Sequence, residues 1–148
     1  MAKRCSVFDV ADYFLCLQDP EAGDYISNLK LQKLCYYAQG FHLAMNNSRL
    51  FENDIEAWQH GPVVRDLYYK YKDCGAGILK VSEDFSPKIL SETIKELLEN
   101  IYKIYGQYSA WRLRDMTHQE PPWINAINKK QEIISDQELI GFFKTGLV

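Results

Sequence analysis

Hydrophobic residues recur at intervals of three and four along most of the chain, which is the spacing of one face of an α-helix. The longest such segment covers residues 28–45 and predicts a helix of about five turns. Shorter helices are predicted to begin near five capping residues or prolines, namely Ser6, Pro62, Ser91, Ser109 and Ser135. In the last of these helices, Ser135 and Glu138 have the spacing of a capping box. The pattern therefore predicts a mainly α fold with six or seven helices.

Residues 50–63 lack the helical spacing. Over residues 55–58 apolar and polar side chains alternate weakly, which favours a short strand or an extended crossover. Gly61 and Pro62 predict a flexible turn, with Pro62 as the first residue of the following helix. We therefore expect at most one short β-hairpin or extended crossover, around residues 50–63. Within the long helix, Gly40 predicts close packing against a neighbouring element.

Length and composition fit a single compact multi-helix domain over residues 1–148. Apolar residues make up 47% of the chain and charged residues 25%, as in ordinary globular proteins. No apolar run reaches the roughly 18 residues that span a membrane, and charged residues interrupt the N-terminal segment where a signal peptide needs an apolar core. We therefore expect a cytoplasmic protein with no membrane partner.

Charge and cysteine spacing exclude further classes of function. The net charge is −3, which disfavours nucleic acid as a partner because phosphate binding usually needs a basic stripe. The four cysteines and three histidines show no ligand spacing. We expect the cysteines to be small buried hydrophobes, and we expect no metal and no cofactor.

Two segments, 56–63 and 117–123, combine aromatic, titratable and conformationally special residues. Their polar and aromatic side chains of interest are Glu56, Trp58, His60, His118, Glu120 and Trp123. Their turn residues are Gly61 and Pro62 in the first segment and Pro121 and Pro122 in the second. The second pair predicts a break in the chain ahead of a short helical turn. If the two segments meet, their histidines and glutamates form one polar cluster flanked by tryptophans.

Three interpretations of His60 and His118 remain open at this stage. In the first, a histidine acts as a general base with a glutamate partner, in a small hydrolase or a metal site. In the second, the histidines bond backbone carbonyls and the tryptophans anchor the loops. In the third, these side chains contact a protein partner. No common enzyme motif accompanies them, since the chain has no P-loop, G-x-G-x-x-G, H-E-x-x-H or G-x-S-x-G sequence.

Tyr36 and Tyr37 are a further candidate pair. Adjacent residues point about 100° apart around a helix axis, so one ring is expected in the core and the other at its rim. Aromatic residues make up 14% of the chain, and tyrosine and tryptophan are enriched at binding hot spots. We therefore include both tyrosines, with core packing as the alternative, among the candidate partner-binding residues beside the two loops.

The same segments carry a family resemblance. The run Asn28-Leu29-Lys30-Leu31-Gln32-Lys33-Leu34, continued by Tyr36-Tyr37-Ala38-Gln39-Gly40, resembles the signature of the Panacea domain, the family of SocA-like antitoxins and phage-associated GepA-like proteins. Further matches follow in the family's order: Leu50-Phe51, Glu56-Ala57-Trp58, Gly61-Pro62-Val63, Trp111, Leu113, Thr117-His118, Pro122-Trp123 and Ile134-Ser135-Asp136. The resemblance covers nearly the whole chain. Two positions depart from it, because His60 replaces a common aromatic residue and Pro121 replaces a common glycine.

The resemblance implies a bacterial or phage-encoded antitoxin that neutralises a toxin protein encoded next to it, and not an enzyme. The family implies no catalytic residues that transfer to this sequence, and its toxins are of many unrelated kinds. Action as an adaptor that presents the toxin to a protease is a variant of the same function, and a homo-oligomer is a further possible assembly. A hydrolase using His60 and His118, or a phage or transcriptional regulatory module, are the alternatives.

Overall fold

The computed structural model describes residues 4–147, and in this range the chain forms seven α-helices and three short strands. The helices are α1 (Val7–Leu17), α2 (Asn28–Asn46), α3 (Arg65–Tyr71), α4 (Glu92–Tyr105), α5 (Ala110–Thr117), α6 (Pro121–Asn128) and α7 (Asp136–Lys144). The strands are β1 (Ile55–Trp58), β2 (Gly61–Val63) and β3 (Ile133–Ile134). The mainly α fold predicted from the hydrophobic pattern is confirmed.

Serine side chains cap five of these helices at their N-termini. The capping serines are Ser6, Ser27, Ser91, Ser109 and Ser135, and each hydroxyl accepts a hydrogen bond from a backbone N–H in the first turn. A free N–H at a helix start costs stability when it loses water, so each cap contributes about 1 kcal/mol. The helix starts predicted at Ser6, Ser91, Ser109 and Ser135 are confirmed.

The central element of the fold is α2, which is buried along almost its whole length. Its apolar residues pack against helices on several sides, and Cys35 is fully buried among them. Besides Asn28 at its first position, four of its polar residues are buried as well, and each bonds the backbone of a segment that crosses the helix. The Nζ atom of Lys30 donates to the carbonyl of Gly106, and that of Lys33 to the carbonyl of Pro62.

The other two buried polar residues of α2 are glutamines. The Gln32 side-chain oxygen accepts from the backbone N–H of Val64, and the Gln39 amide donates to the carbonyl of Phe51 while its oxygen accepts from the N–H of Leu50. A buried polar backbone group without a partner costs about 1–3 kcal/mol, so these side chains allow irregular segments to cross the core. The polar positions of this helix therefore fix the loops around it.

Helix α7 packs closely against α2. A Cβ atom placed on Gly40 would overlap the ring of Phe143, which confirms the close packing predicted at this glycine. The Phe143 ring is 2% exposed and makes edge contacts with Tyr36 at 5.4 Å and Phe41 at 4.8 Å between centroids. Because Gly40 has no side chain, α2 leaves space for the Phe143 ring of α7.

The small sheet is antiparallel with strand order β2-β1-β3. The hairpin confirms the extended structure predicted around residues 50–63, but two details differ. Pro62 lies in β2, opposite Ala57, and α3 begins only at Arg65, so the prediction of Pro62 as a first helical residue was wrong. The third strand, Ile133–Ile134, lies outside the predicted region, because a two-residue strand leaves no periodic pattern in the sequence.

The second proline pair and the cysteines also differ from expectation. Pro121 and Pro122 form the first turn of α6, where a missing N–H has no cost, so they begin a helix instead of breaking the chain before it. Cys16 and Cys74 are exposed, which corrects the expectation that the cysteines are buried. Between residues 4 and 147, no helix is long and apolar enough to cross a membrane.

Candidate functional site

The hairpin turn and the start of α6 meet. The indole Nε1 of Trp123 donates a hydrogen bond of 2.7 Å to the backbone carbonyl of Trp58. The His118 ring stacks on Trp123 with 4.2 Å between centroids and 18° between planes. The surface formed by residues 58–61 and 118–123 is called the two-loop face below. His60 is exposed on it, while Trp58, His118 and Trp123 are half-buried.

The hairpin turn is held tightly against the helices below it. Gly61 has a φ of +113°, a conformation that strongly favours glycine. A Cβ atom at this position would lie 2.8 Å from Thr117 Oγ1 on α5 and 2.9 Å from Lys33 Cε on α2. Both backbone conformation and space therefore require a glycine here, and the turn that carries Trp58 and His60 has little freedom to shift.

Beneath the turn lies a cationic group in a fully buried position. Lys33 is 0% exposed, and its Nζ donates to the Pro62 carbonyl at 3.1 Å. Burial and, to a smaller extent, the positive charge of Arg114 together lower the pKa of Lys33 to about 7. His118 has its pKa lowered by burial and by Arg114 as well, against a smaller opposite effect from the backbone of Gln59.

Tyr36 and Tyr37 do not lie on the two-loop face. Both are 0% exposed, so the expectation that one ring lies at the rim was wrong. Their hydroxyls donate to the two carboxylate oxygens of Glu120 at 2.9 and 2.8 Å, and Tyr37 stacks on Tyr105 at 3.9 Å. Burial raises the pKa of Glu120, while the two hydrogen bonds oppose that shift. The shared carboxylate explains why two adjacent rings are both drawn inward.

The glutamates do not orient the histidines. Glu56 accepts from the Trp58 indole at 3.1 Å and pairs with Arg65 at 2.9 Å, which lowers its pKa. Glu120 is bonded to the two tyrosines. In the described part of the chain, neither carboxylate has a histidine among its hydrogen-bond partners, so the acid–base arrangement that a His–Glu pair requires is not formed. Nor do three or more His, Cys, Asp or Glu residues between 4 and 147 group as metal ligands.

Further aromatic and cationic side chains extend the two-loop face on both sides. On the α3 side, Trp58 packs edge-on against Tyr68 at 5.0 Å, and the Arg65 guanidinium lies 6.0 Å from the Trp58 centroid. On the α5 side, Trp111 is 65% exposed, with the Arg114 guanidinium 5.3 Å from its ring centroid. The sequence analysis did not assign either arginine. Their spacing of three from Tyr68 and from Trp111 on helices was the available signal.

The fold and the ordered motifs place the chain in a known class of proteins. Residues 31–124 match the family described as antitoxin SocA-like, Panacea domain. This match covers more than half of the 148 residues, and the chain belongs to that family. The family membership expected from the sequence resemblance is thereby confirmed.

One curated relative is similar at the level of sequence. It is Antitoxin SocA of Caulobacter vibrioides (strain NA1000 / CB15N), which is 31% identical over 110 residues. The alignment covers 66% of this chain and 58% of the relative, so the chain spans little more than half of that protein's length. No solved structure is significantly similar to the chain.

Proposed function

We propose that this chain is an antitoxin that neutralises a cognate toxin protein by binding it directly through the two-loop face. Family membership supports the antitoxin function in general. The observation that carries the assignment of the face is the junction of two aromatic loops, made by the Trp123–Trp58 hydrogen bond and the His118–Trp123 stack. Partly exposed tryptophans on a rigid support are typical hot-spot residues, because little conformational entropy is lost when they bind.

Neutralisation by this face requires only that the bound antitoxin covers the toxin's active site or holds an inactive conformation. An adaptor that hands the toxin to a protease would use the same contact for recognition. A hydrolase is not favoured, because Glu56 and Glu120 are bonded to other side chains and, in the described part of the chain, neither is a hydrogen-bond partner of a histidine. The residues proposed for contact are therefore Trp58, His60, His118 and Trp123, with Tyr36 and Tyr37 as the core that supports them.

The test uses cells that express the toxin encoded next to this chain. His60→Ala removes an exposed side chain and Trp58→Ala a half-buried one. We expect each variant to stay folded, and we expect Trp58→Ala to lose on the order of 2 kcal/mol of binding free energy, roughly thirtyfold in affinity. Rescue of growth and the Kd of the purified complex are measured, after the Tm of each variant has been checked.

Two matched variants complete the experiment. Met45→Ala removes an exposed side chain near the far end of α2 and should leave both Tm and rescue unchanged. Tyr37→Ala removes a buried ring and should lower stability by about 3 kcal/mol or more, without identifying the interface. Folded Trp58→Ala and His60→Ala variants that protect cells as well as the wild type would contradict the proposed face.

A further inference from the structure

We propose that the exposed surface of α5 around Trp111 and Arg114 binds acidic side chains of the protein partner. This inference rests on the proposed antitoxin function, since that partner is the toxin. It further specifies that the toxin presents a cluster of aspartate or glutamate side chains where it contacts this surface of α5.

Two residues of α5 and His118, which follows its last residue, form a continuous stripe. Trp111, Arg114 and His118 are spaced at i, i+3 and i+7, which places them on one side of the helix. The guanidinium of Arg114 lies 5.3 Å from the Trp111 ring centroid, and the His118 ring is stacked on Trp123. The stripe thus runs directly into the two-loop face. A partner that covers the loops is positioned to contact Trp111, which is 65% exposed.

Positive charge on this stripe is only partly compensated. Arg114 pairs with the adjacent Asp115 at 3.3 Å, and the Asp115 side chain is itself 57% exposed. An exposed pair of this kind holds little free energy and is easily exchanged. Glu120, the next carboxylate along the chain, is bonded to two tyrosines.

Two buried nitrogen atoms on the same face are unpartnered. Arg114 Nε and His118 Nε2 are both buried and have no hydrogen-bond partner within the described residues. A guanidinium always carries a proton on Nε, and a buried N–H without an acceptor is costly. Carboxylates bind guanidinium groups side-on through two parallel hydrogen bonds, one of which can use Nε. The Arg114 side chain is 26% exposed, so a carboxylate from the partner can take the place of Asp115 on this guanidinium.

A protein partner fits these observations better than a nucleic acid. Phosphate recognition gains affinity from an extended basic surface, whereas this chain has a net charge of −3 and an aspartate beside Arg114. A small cationic patch flanked by tryptophans instead suits a limited acidic patch on a protein, where charge complementarity sets orientation and association rate.

The experiment measures binding of the wild-type chain and its variants to the purified toxin encoded next to it, at several salt concentrations. Arg114→Glu is expected to weaken the complex at least about 100-fold. Arg112→Glu makes the same charge change about 160° away around the axis of α5 and should change the Kd much less. Arg114→Lys keeps the charge but loses the planar fork, so an intermediate loss is expected. Lys88→Glu makes the same charge change at an exposed residue before α4 and should change the Kd less than twofold.

Each outcome separates this inference from the proposed function. Toxin binding by Arg114→Glu at wild-type strength would overturn the acidic-partner proposal, while losses in Trp58→Ala and His60→Ala would leave the antitoxin function standing. Absence of any complex between the wild-type chain and the neighbouring protein would contradict both. A single-stranded oligonucleotide that binds the wild type but not Arg114→Glu would also overturn the inference, in favour of nucleic acid. Because Trp111 is exposed, Trp111→Ala keeps the test valid if Arg114→Glu does not fold, and wild-type toxin binding by that variant would overturn the proposed face.

Discussion

Lys33 is the residue whose environment departs furthest from what its side chain prefers. A fully buried ammonium group is costly without a carboxylate partner, and among residues 4–147 the acceptor for this one is the Pro62 carbonyl alone. The length of the side chain explains its presence, because Lys33 crosses from α2 to the hairpin and contacts the position of Gly61. Its role is to hold the turn that carries Trp58 and His60.

This environment makes stability depend on pH. The pKa of Lys33 is about 7 in the folded chain and near its ordinary value of 10.5 in the unfolded chain. Between these values the unfolded chain binds a proton that the folded chain has released, so the contribution of Lys33 raises stability as pH increases, by up to about 1.4 kcal/mol per pH unit. Below pH 7 both states carry the proton and the full burial penalty remains.

Comparison with Lys33→Met isolates this contribution. Methionine is of similar length and carries no charge, so the variant should be most stable relative to the wild type at pH 6 and should lose more than half of that advantage by pH 9. Urea unfolding of both chains at several pH values measures the difference. Parallel stability curves over this range would show that Lys33 does not titrate as the structure indicates.

The hydrogen-bond partners of the buried polar residues of α2 could not be predicted from the sequence. Serine caps were predictable because they act on their own helix. Gln32, Lys33 and Gln39 bond segments far away in sequence, and such partners leave no local pattern. The inward position of Tyr36 and Tyr37 was missed for the same reason, because Glu120 lies more than 80 residues away.

At the scale of elements, the α2–α7 contact depends on one missing side chain. Gly40→Ala would place a methyl group inside the Phe143 ring, and overpacking of this kind typically costs 1–3 kcal/mol. Alanine also favours the helix by about 1 kcal/mol, so we expect a net loss of about 2 kcal/mol because the rigid ring has little room to move. Chemical denaturation of the variant measures the change in the free energy of unfolding.

Gly141→Ala is the matched control on the other helix. Gly141 lies within α7, is exposed, and has nothing within 4 Å of a Cβ atom placed on it. Only helix propensity applies there, so this substitution should stabilise the chain by about 0.5–1 kcal/mol. A Gly40→Ala variant as stable as Gly141→Ala would contradict the close packing of α2 on α7.

Elements were predicted well where one face follows a helical period and poorly where tertiary contacts decide. The hairpin was expected from its non-helical residues, but its register was not. From the sequence, Pro62 fits a first helical residue as well as a strand residue that donates no hydrogen bond to its neighbour. The pairing of β1 with β2 decides between these two positions. Strand β3 forms because residues 133–134 pair with the edge of β1, a contact between segments distant in sequence.

For the whole molecule, the buried apolar residues form one cluster that extends from Val7 in α1 to Phe143 in α7. The fold class and the family followed from the sequence, because periodic helices and ordered motifs are distributed along the chain. The two-loop face was proposed from the sequence, but its rim on α3 and α5 was not, since no motif distinguishes an exposed tryptophan from a buried one. We propose that the described residues unfold as one cooperative unit.

The buried thiol of Cys35 allows global opening of this cooperative unit to be measured chemically. Cys16 and Cys74 are exposed, whereas Cys35 is fully buried, and burial raises the pKa of its thiol. An alkylating reagent should therefore modify Cys16 and Cys74 quickly, and Cys35 only during global opening. Mass spectrometry of timed samples counts these adducts. Alkylation of Cys35 as fast as Cys16 would contradict a single cooperative unit. A protein that binds the native chain slows opening, so delayed alkylation of Cys35 reports its binding without any change to the face that it occupies.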